Sequence, residues 1–363
     1  MENSVISQVR RDCTRFLVGH YRKSPQQTLS ELAATTDPDV AADTYGQGAV
    51  IADFEDEIAH LLGKEAAVFM PSGTMCQQIA LRIWSERKGK PRVAFHPTCH
   101  LEIYEQQGYR ELHHLQGVLV GSAERLMTLA DLQAIAQPLA ALLIELPQRE
   151  IGGQLPTWEE LASLTSWARE QGMALHLDGA RLWQCGAYYA RSYAEIAALF
   201  DSVYVSFYKD LAGIAGAVLA GSADFIAAAR VWQRRHGGNL VQLYPYVLAA
   251  KLGMQRHLDR MPAYAEKARA IALALANCPD LAIIPHLPPT NMMHLYLRGD
   301  QEALLEAAMA VSRATGIFTI PWLRSTVLPQ QQVFEWTVGE ATLDVATEEI
   351  VTLFQDIFAR VRG

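Results

Sequence analysis

The sequence has no long apolar run, no basic tract and few cysteines, and each shortage excludes a class of protein. No stretch approaches the roughly 18 uninterrupted apolar residues that a membrane-spanning helix requires. The opening segment, "MENSVISQVRRDCTRFLVGH", mixes charge into every turn and lacks an apolar core with a small-residue cleavage site, so no secretory signal is expected. Lysine and arginine total 31 against 39 aspartates and glutamates, a net charge of −8, and no run of basic residues offers a phosphate-tracking surface. A general nucleic-acid binder is thereby disfavoured, while a local basic pocket stays open. Five cysteines, Cys13, Cys76, Cys99, Cys185 and Cys278, are scattered and odd in number, which points to reduced thiols in the cytoplasm. The nearest approach to a metal cluster is "HPTCH", with His96, Cys99 and His100. It has no second ligand pair at zinc-finger spacing, so no metal is expected there.

What is present is a large store of apolar residues, 50% of the 363, enough for about two domains. Strand-like runs recur at 66–70 ("AAVFM"), 92–96, 139–147, 174–180, 202–208 and 216–221, and helical patterns such as 157–171 and 223–235 lie among them. That alternation predicts β-α-β units and a mostly parallel sheet buried on both faces. After a helical region near 243–277 come short runs, "LAIIPH", "MMHLYLRG", "IFTIP" and "QVFEWTVG", around helices at 301–315 and 346–361. They read as a smaller α/β domain whose sheet has one solvated face. The expected organisation is an N-terminal arm over 1–42, a large domain over 43–245 and a small C-terminal domain over 246–363. Arms of this kind often pack on a partner subunit.

In α/β sheets ligands bind beyond the carboxyl ends of the strands, so polar residues that end strands are the candidates. "VFMPSGTMCQQ" places Ser72, Gly73 and Thr74 at the start of a helix, where free N–H groups and the helix dipole favour an anion; Ser72 as a simple cap is the plainer alternative. "LHLDGARLW" puts Asp178 at a strand end with Arg181 just after it, either as a structural ion pair or as a carboxylate that holds a pyridinium nitrogen protonated. "VYVSFYKDLAG" carries Lys209 at the end of another apolar strand. There it is paired, neutralised or covalently occupied, unless its stem simply carries the ammonium out to solvent. Ser206, three residues earlier, adds a hydroxyl, and "HPTCHLEIYE" offers His100 as an imidazole able to stack on a ring. Lysine, aspartate, an anion turn and a stacking ring together are the requirement of a pyridoxal phosphate (PLP) site.

With these residues in view the sequence resembles the threonine aldolase and β-eliminating lyase family of fold type I PLP enzymes. "ADTYGQGAV", "LLGKEAAVFMPSGTMCQQIAL", His100 with Glu105, and "DGAR" at 178–181 followed by the strand-end Lys209 carry the resemblance. It implies Lys209 as the Schiff-base lysine, Asp178 on the pyridine nitrogen and His100 on the ring. It also implies Gly73 and Thr74 on the phosphate, beside which the residues themselves offer Ser72 and the Ser206 hydroxyl, Arg181 on the substrate carboxylate, and Tyr45 reaching a phosphate across a subunit boundary of a homodimer or homotetramer. Where family members carry a second histidine, this chain reads "ELPQREIGGQLP", so Gln148 and Arg149 are the substrate-side candidates, and a second carboxylate-binding arginine is not evident in "VFEWTVGE". Arg149 and Arg324 are the nearest replacements, and Glu335 is a possible partner for a donor on the substrate. The expected reaction cleaves the Cα–Cβ bond of a β-hydroxy-α-amino acid to glycine and an aldehyde. β-Elimination, transamination or racemisation of another amino acid, a non-catalytic binding protein, or a metal protein using "HPTCH" are the alternatives.

Overall fold

The computed structural model describes residues 3–362; Met1, Glu2 and Gly363, at the ends of the expected arm and small domain, lie outside the described residues. Two compact units divide the chain, one formed by residues 24–150 and 155–259, the other by 3–23, 151–154 and 260–362.

The first unit is built on a seven-stranded sheet: β1 (Ala66–Met70), β2 (Arg92–Phe95), β3 (Gln116–Leu119), β4 (Ala141–Glu145), β5 (Ala174–Gly179), β6 (Ser202–Ser206) and β7 (Ala217–Gly221). Their spatial order is β1-β7-β6-β5-β4-β2-β3. All pairings are parallel except those of β7, which runs antiparallel to both β1 and β6. The four strands β4 to β7 are buried at every position, as predominantly apolar strands covered on both faces are, so the polar residues they carry are buried too. Only β3 escapes the sequence reading, because "QGVL" at the sheet edge is mostly exposed and carries no apolar run.

Helix α1 (Gly73–Lys88) positions one wall of the site. Ser72 caps it from an extended conformation, its Oγ accepting the Met75 N–H at 3.3 Å, and Gly89 closes it at a left-handed φ of 61°. Its Cys76, Ile79, Ala80 and Ile83 join Val68, Phe95, Leu143 and Leu219 of the sheet in one core. Each of the large apolar side chains among them, such as Ile79, Leu143 and Leu219, contributes roughly 1.5–3 kcal/mol by its burial. Helices α2 (Trp158–Glu170) and α3 (Ala223–Arg235) begin within one residue of their expected starts, α2 at a capping box between Thr157 and Glu160.

The second unit holds a four-stranded antiparallel sheet of β8 (Leu281–Ile284), β9 (Met292–Arg298), β10 (Arg324–Ser325) and β11 (Gln331–Thr337), in the order β10-β11-β9-β8. The expected in-out alternation appears in β8, where buried Ile283 sits between exposed neighbours, but β9 is buried along nearly its whole length. Helices α4 (Gln301–Thr315) and α5 (Thr347–Arg362) complete the unit. The start of the chain is built into it as well. Arg15 and Phe16 pair in parallel with Ile317 and Phe318, and the Trp336 indole donates to Leu17 O at 3.0 Å. Residues 3–23 therefore fold with the C-terminal strands of their own chain, where an arm over 1–42 was expected, and the unit boundary falls at 259/260 where 245/246 was expected. Among the described residues no helix is long and apolar enough to cross a membrane.

Candidate active site

The expected cofactor residues, with Arg181, Gln148 and Arg149, fall within the first unit; only Arg324 and Glu335 do not. The parallel register sets Glu145 of β4 opposite Asp178 of β5, and Asp178 opposite Tyr204 of β6. Residues in register share a face, so two carboxylates and a phenol form a row across the sheet near its carboxyl edge. Lys209 follows three residues after β6 ends, partly buried, with its Nζ 5.7 Å from the centre of the Tyr208 ring. Burial first, and then the Arg181 charge, lower its ammonium to about 8, while Asp178, Glu145 and Asp210 act in the opposite sense. A lysine in that range holds a useful fraction of free amine near neutral pH, as Schiff-base chemistry requires.

Asp178 is 2% exposed. Its Oδ1 accepts the Ala180 N–H at 3.1 Å and its Oδ2 accepts from the Gln77 amide on α1. Burial pushes its carboxyl upward, a trend that Lys209 and the Ala180 N–H resist. Arg181 is not its partner: the guanidinium has no ion pair or hydrogen bond among the described residues, so its fork is available to an anion.

His100 opens a single helical turn, His100–Ile103, and its Nδ1 lies 2.9 Å from Glu105 Oε1. Glu105 is itself held by Gln78 Nε2 at 3.2 Å. Gly108 makes room for that amide, since a Cβ there would sit 2.5 Å from Gln78 Nε2. With Nδ1–H donating to a carboxylate, Nε2 is left as the acceptor nitrogen of the neutral ring.

At the α1 N-terminus the Met75 N–H is taken by Ser72 Oγ and the Cys76 N–H by Ser72 O, which leaves the N–H groups of Gly73 and Thr74. Ser72 is thus the cap as well as part of the turn. A Cβ on Gly73 would lie 1.9 Å from the Tyr204 hydroxyl, so glycine is required for that phenol to stand at the helix end. Tyr204 is in turn hydrogen-bonded to Tyr208. Ser206, expected near the phosphate, is fully buried and donates to Ala180 O at 2.7 Å; the hydroxyl found at the helix end is that of Tyr204.

On the substrate side, Gln148 is buried and donates Nε2 to Glu145 Oε2 at 3.0 Å and Thr98 Oγ1 at 3.2 Å. Arg149 pairs with Glu150 at 3.3 Å and lies over the Tyr104 ring at 5.4 Å. Arg324 and Glu335 belong to the second unit, where Glu335 faces His294 across β11 and β9. Tyr45 is exposed at a φ of 52° and lines a cavity of about 440 Å³ with Gln47, Arg230, Gln233, Arg234 and Asn239. Neither Lys209, Asp178 nor His100 contributes to that lining. In "HPTCH", His96 is committed to Thr98 Oγ1 and Arg125 O at 2.9 Å each, and burial pushes the Cys99 thiol well up.

Glu145, Gln77, His176 and Tyr204 went unread in the sequence. Glu145 had a usable signal, because it ends "ALLIE" just as Asp178 ends its own apolar strand. Burial, then the Asp178 charge, push its carboxyl up to about 8.

The donor set fits pyridoxal phosphate. There is one partly neutral amine, one buried carboxylate with defined donors, two free N–H groups at a long helix's start, and an imidazole oriented by a carboxylate. Comparisons with known proteins agree. The model of the beta-eliminating lyase family matches residues 28–299. An Arabidopsis thaliana protein described as a probable low-specificity L-threonine aldolase is 26% identical over 343 residues, covering 91% of this chain and 94% of its own. The crystal structure of a Listeria monocytogenes EGD-E protein, provisionally described as an L-allo-threonine aldolase, is 41% identical with a TM-score of 0.94 over 99% of both chains. A Sphingomonas wittichii serine palmitoyltransferase, 15% identical, shares the fold at a TM-score of 0.68, covering 96% of this chain and 87% of its own. With this fold, and with three quarters of its length matched by the family model, the chain belongs to the beta-eliminating lyase family.

Proposed function

We propose that this chain is a PLP-dependent carbon–carbon lyase of the threonine-aldolase type, cleaving a β-hydroxy-α-amino acid to glycine and an aldehyde. The observation that carries the reading is Lys209 at a sheet edge shared with Asp178, its ammonium lowered to about 8 by burial and by Arg181. Lys209 would hold the cofactor covalently, Asp178 its ring nitrogen, and the Gly73 and Thr74 N–H groups, with Ser72 forming the turn, its phosphate. When bound, the cofactor supplies an electron-poor ring that takes up the electron pair released at Cα.

The rest is the work of side chains. Arg181, free of internal partners, binds the α-carboxylate and so fixes which substituent of Cα is exposed to cleavage. His100 takes the β-hydroxyl proton at Nε2, since Nδ1–H is committed to Glu105. As that proton leaves, the Cα–Cβ bond breaks, the β-carbon departs as an aldehyde, and Cα takes up a proton to become glycine. Gln148 cannot act as a base; its amide, tied to Glu145 and Thr98, is a fixed polar wall.

We infer also that the enzyme is a homodimer or homotetramer of the cytoplasm, with Tyr45 serving the phosphate of a neighbouring subunit. The exposed Tyr45 ring and the arginine-lined cavity beside it support this reading. The reaction is tested by incubating PLP-loaded protein with a panel of β-hydroxy-α-amino acids and measuring glycine and aldehyde in equal amounts. Ammonia and a keto acid in their place would assign the chain to elimination chemistry.

A further inference from the structure

Asp178 is the end of a chain of four hydrogen bonds that begins two turns further along the same face of α1. The Trp84 indole Nε1 lies 2.8 Å from Ser202 Oγ, and Ser202 Oγ lies 2.8 Å from His176 Nδ1. His176 Nε2 lies 2.7 Å from Gln77 Oε1, and Gln77 Nε2 meets Asp178 Oδ2. Secondary structure places each member. Gln77 and Trp84 are seven residues, two turns, apart on α1, while His176 and Asp178 are two apart on β5 and so share a face. Ser202 is the register partner of His176 on β6. All five side chains are buried.

The direction of the chain follows from its ends. An indole N–H only donates, and an ionised carboxylate only accepts. Burial lowers His176 to about 3, so its ring is neutral, with one N–H and one lone pair. Ser202 therefore accepts from Trp84 and donates to His176 Nδ1, His176 donates from Nε2 to Gln77 Oε1, and Gln77 turns its NH₂ toward Asp178. Reversing the Gln77 amide would set oxygen against carboxylate and nitrogen against the imidazole N–H. Each bond thus enforces the next.

We propose that Trp84, Ser202, His176 and Gln77 form a one-way hydrogen-bond relay that keeps the Asp178 carboxylate ionised and aimed at the pyridine nitrogen of PLP, which makes Gln77 and His176 positioning residues of the reaction. The inference rests on the PLP reading above. Without the relay, Asp178 would face burial, the neighbouring Glu145 and the Glu105 charge with Lys209, the Ala180 N–H and His100 to hold its own charge. The strength of the relay lies in the burial of every member, because an unmade bond at any point leaves a polar atom with no access to water.

The test uses holoenzyme carrying PLP labelled with nitrogen-15 in the ring, whose chemical shift reports protonation, together with steady-state kinetics. Wild type should show a protonated ring nitrogen throughout the range from about pH 6 to 9. Gln77→Leu and His176→Phe should keep PLP bound but lose that proton within the range, with kcat down about tenfold or more and KM within about twofold. His176→Gln, which restores a donor where Nε2 was, should recover the shift and most of kcat. Unchanged ring-nitrogen signals and kcat in Gln77→Leu and His176→Phe would overturn the relay. Should His176→Phe fail to fold, Gln77→Leu against His176→Gln makes the same comparison, and identical shifts in the two contradict the proposal. A wild type that shows no bound-PLP signal refutes instead the cofactor reading itself.

Discussion

Glu145 and Asp178 stand in register on adjacent parallel strands, two buried carboxyls side by side, with Glu145 pushed up to about 8 by burial and then by the Asp178 charge. Burial raises both carboxyls: Glu145 holds its proton up to about pH 8, while the Gln77 and Ala180 donors favour the charged form of Asp178.

That proton has a consequence for stability. The folded chain holds it up to about pH 8, whereas an unfolded glutamate releases it near 4.3, so this contribution is full at low pH and is lost as pH rises through about 8. His176, lowered to about 3 by burial, and His113, lowered to about 4 by burial and then by His236, act in the opposite sense and add stability as pH rises to about 6.5. PLP-free protein should be most stable near pH 6.5 and lose up to about 2 kcal/mol by pH 8. Glu145→Gln should flatten that decline, as read from urea unfolding midpoints across the range.

Gly73→Ala should weaken PLP binding by about tenfold or more, because the new methyl collides with the Tyr204 hydroxyl at the helix end. The double variant Gly73→Ala/Tyr204→Leu should bind more tightly than Gly73→Ala alone. Equilibrium dialysis distinguishes this from a general loss of fold, for which the second substitution would only add damage.

Arg181→Lys should raise the substrate KM about tenfold to a hundredfold, the cost of roughly 1.5–3 kcal/mol for losing a bidentate charge-assisted contact. PLP affinity should not move. An unaltered KM would show that another group binds the carboxylate.

Glu105 should act through His100. Glu105→Gln, which retains an acceptor for Nδ1–H, should cost kcat only a few-fold, whereas Glu105→Ala should cost about tenfold or more and alter the kcat pH profile. Equal effects of the two variants would remove Glu105 from the proton path.

Much of this was legible in the sequence because burial on both faces forces apolar strands. β1, β4, β5 and β6 stand where "AAVFM", "ALLIE", "ALHLDG" and "SVYVS" lie, and Asp178 and Lys209 were visible as polar residues breaking such runs. The relay was not, for a physical reason. Gln77 and His176 look like ordinary filler in a helix and a strand, and become a unit only when the register and helix phase bring positions 99 residues apart into contact. Residues 15 and 16 show the same limit, since a two-residue pairing with 317 and 318 leaves no periodic trace. Ser206 illustrates the converse: a hydroxyl at a promising position that a neighbouring carbonyl claims.

The central claim is that Lys209 binds pyridoxal phosphate covalently beside Asp178. The direct measurement is borohydride reduction of the PLP-loaded protein followed by digestion and mass spectrometry. The account predicts one reduced pyridoxyl adduct per chain, on the peptide carrying Lys209, absent from Lys209→Ala and retained in Asp178→Asn. A wild-type protein that takes up no PLP, or an adduct on any lysine other than Lys209, would contradict it.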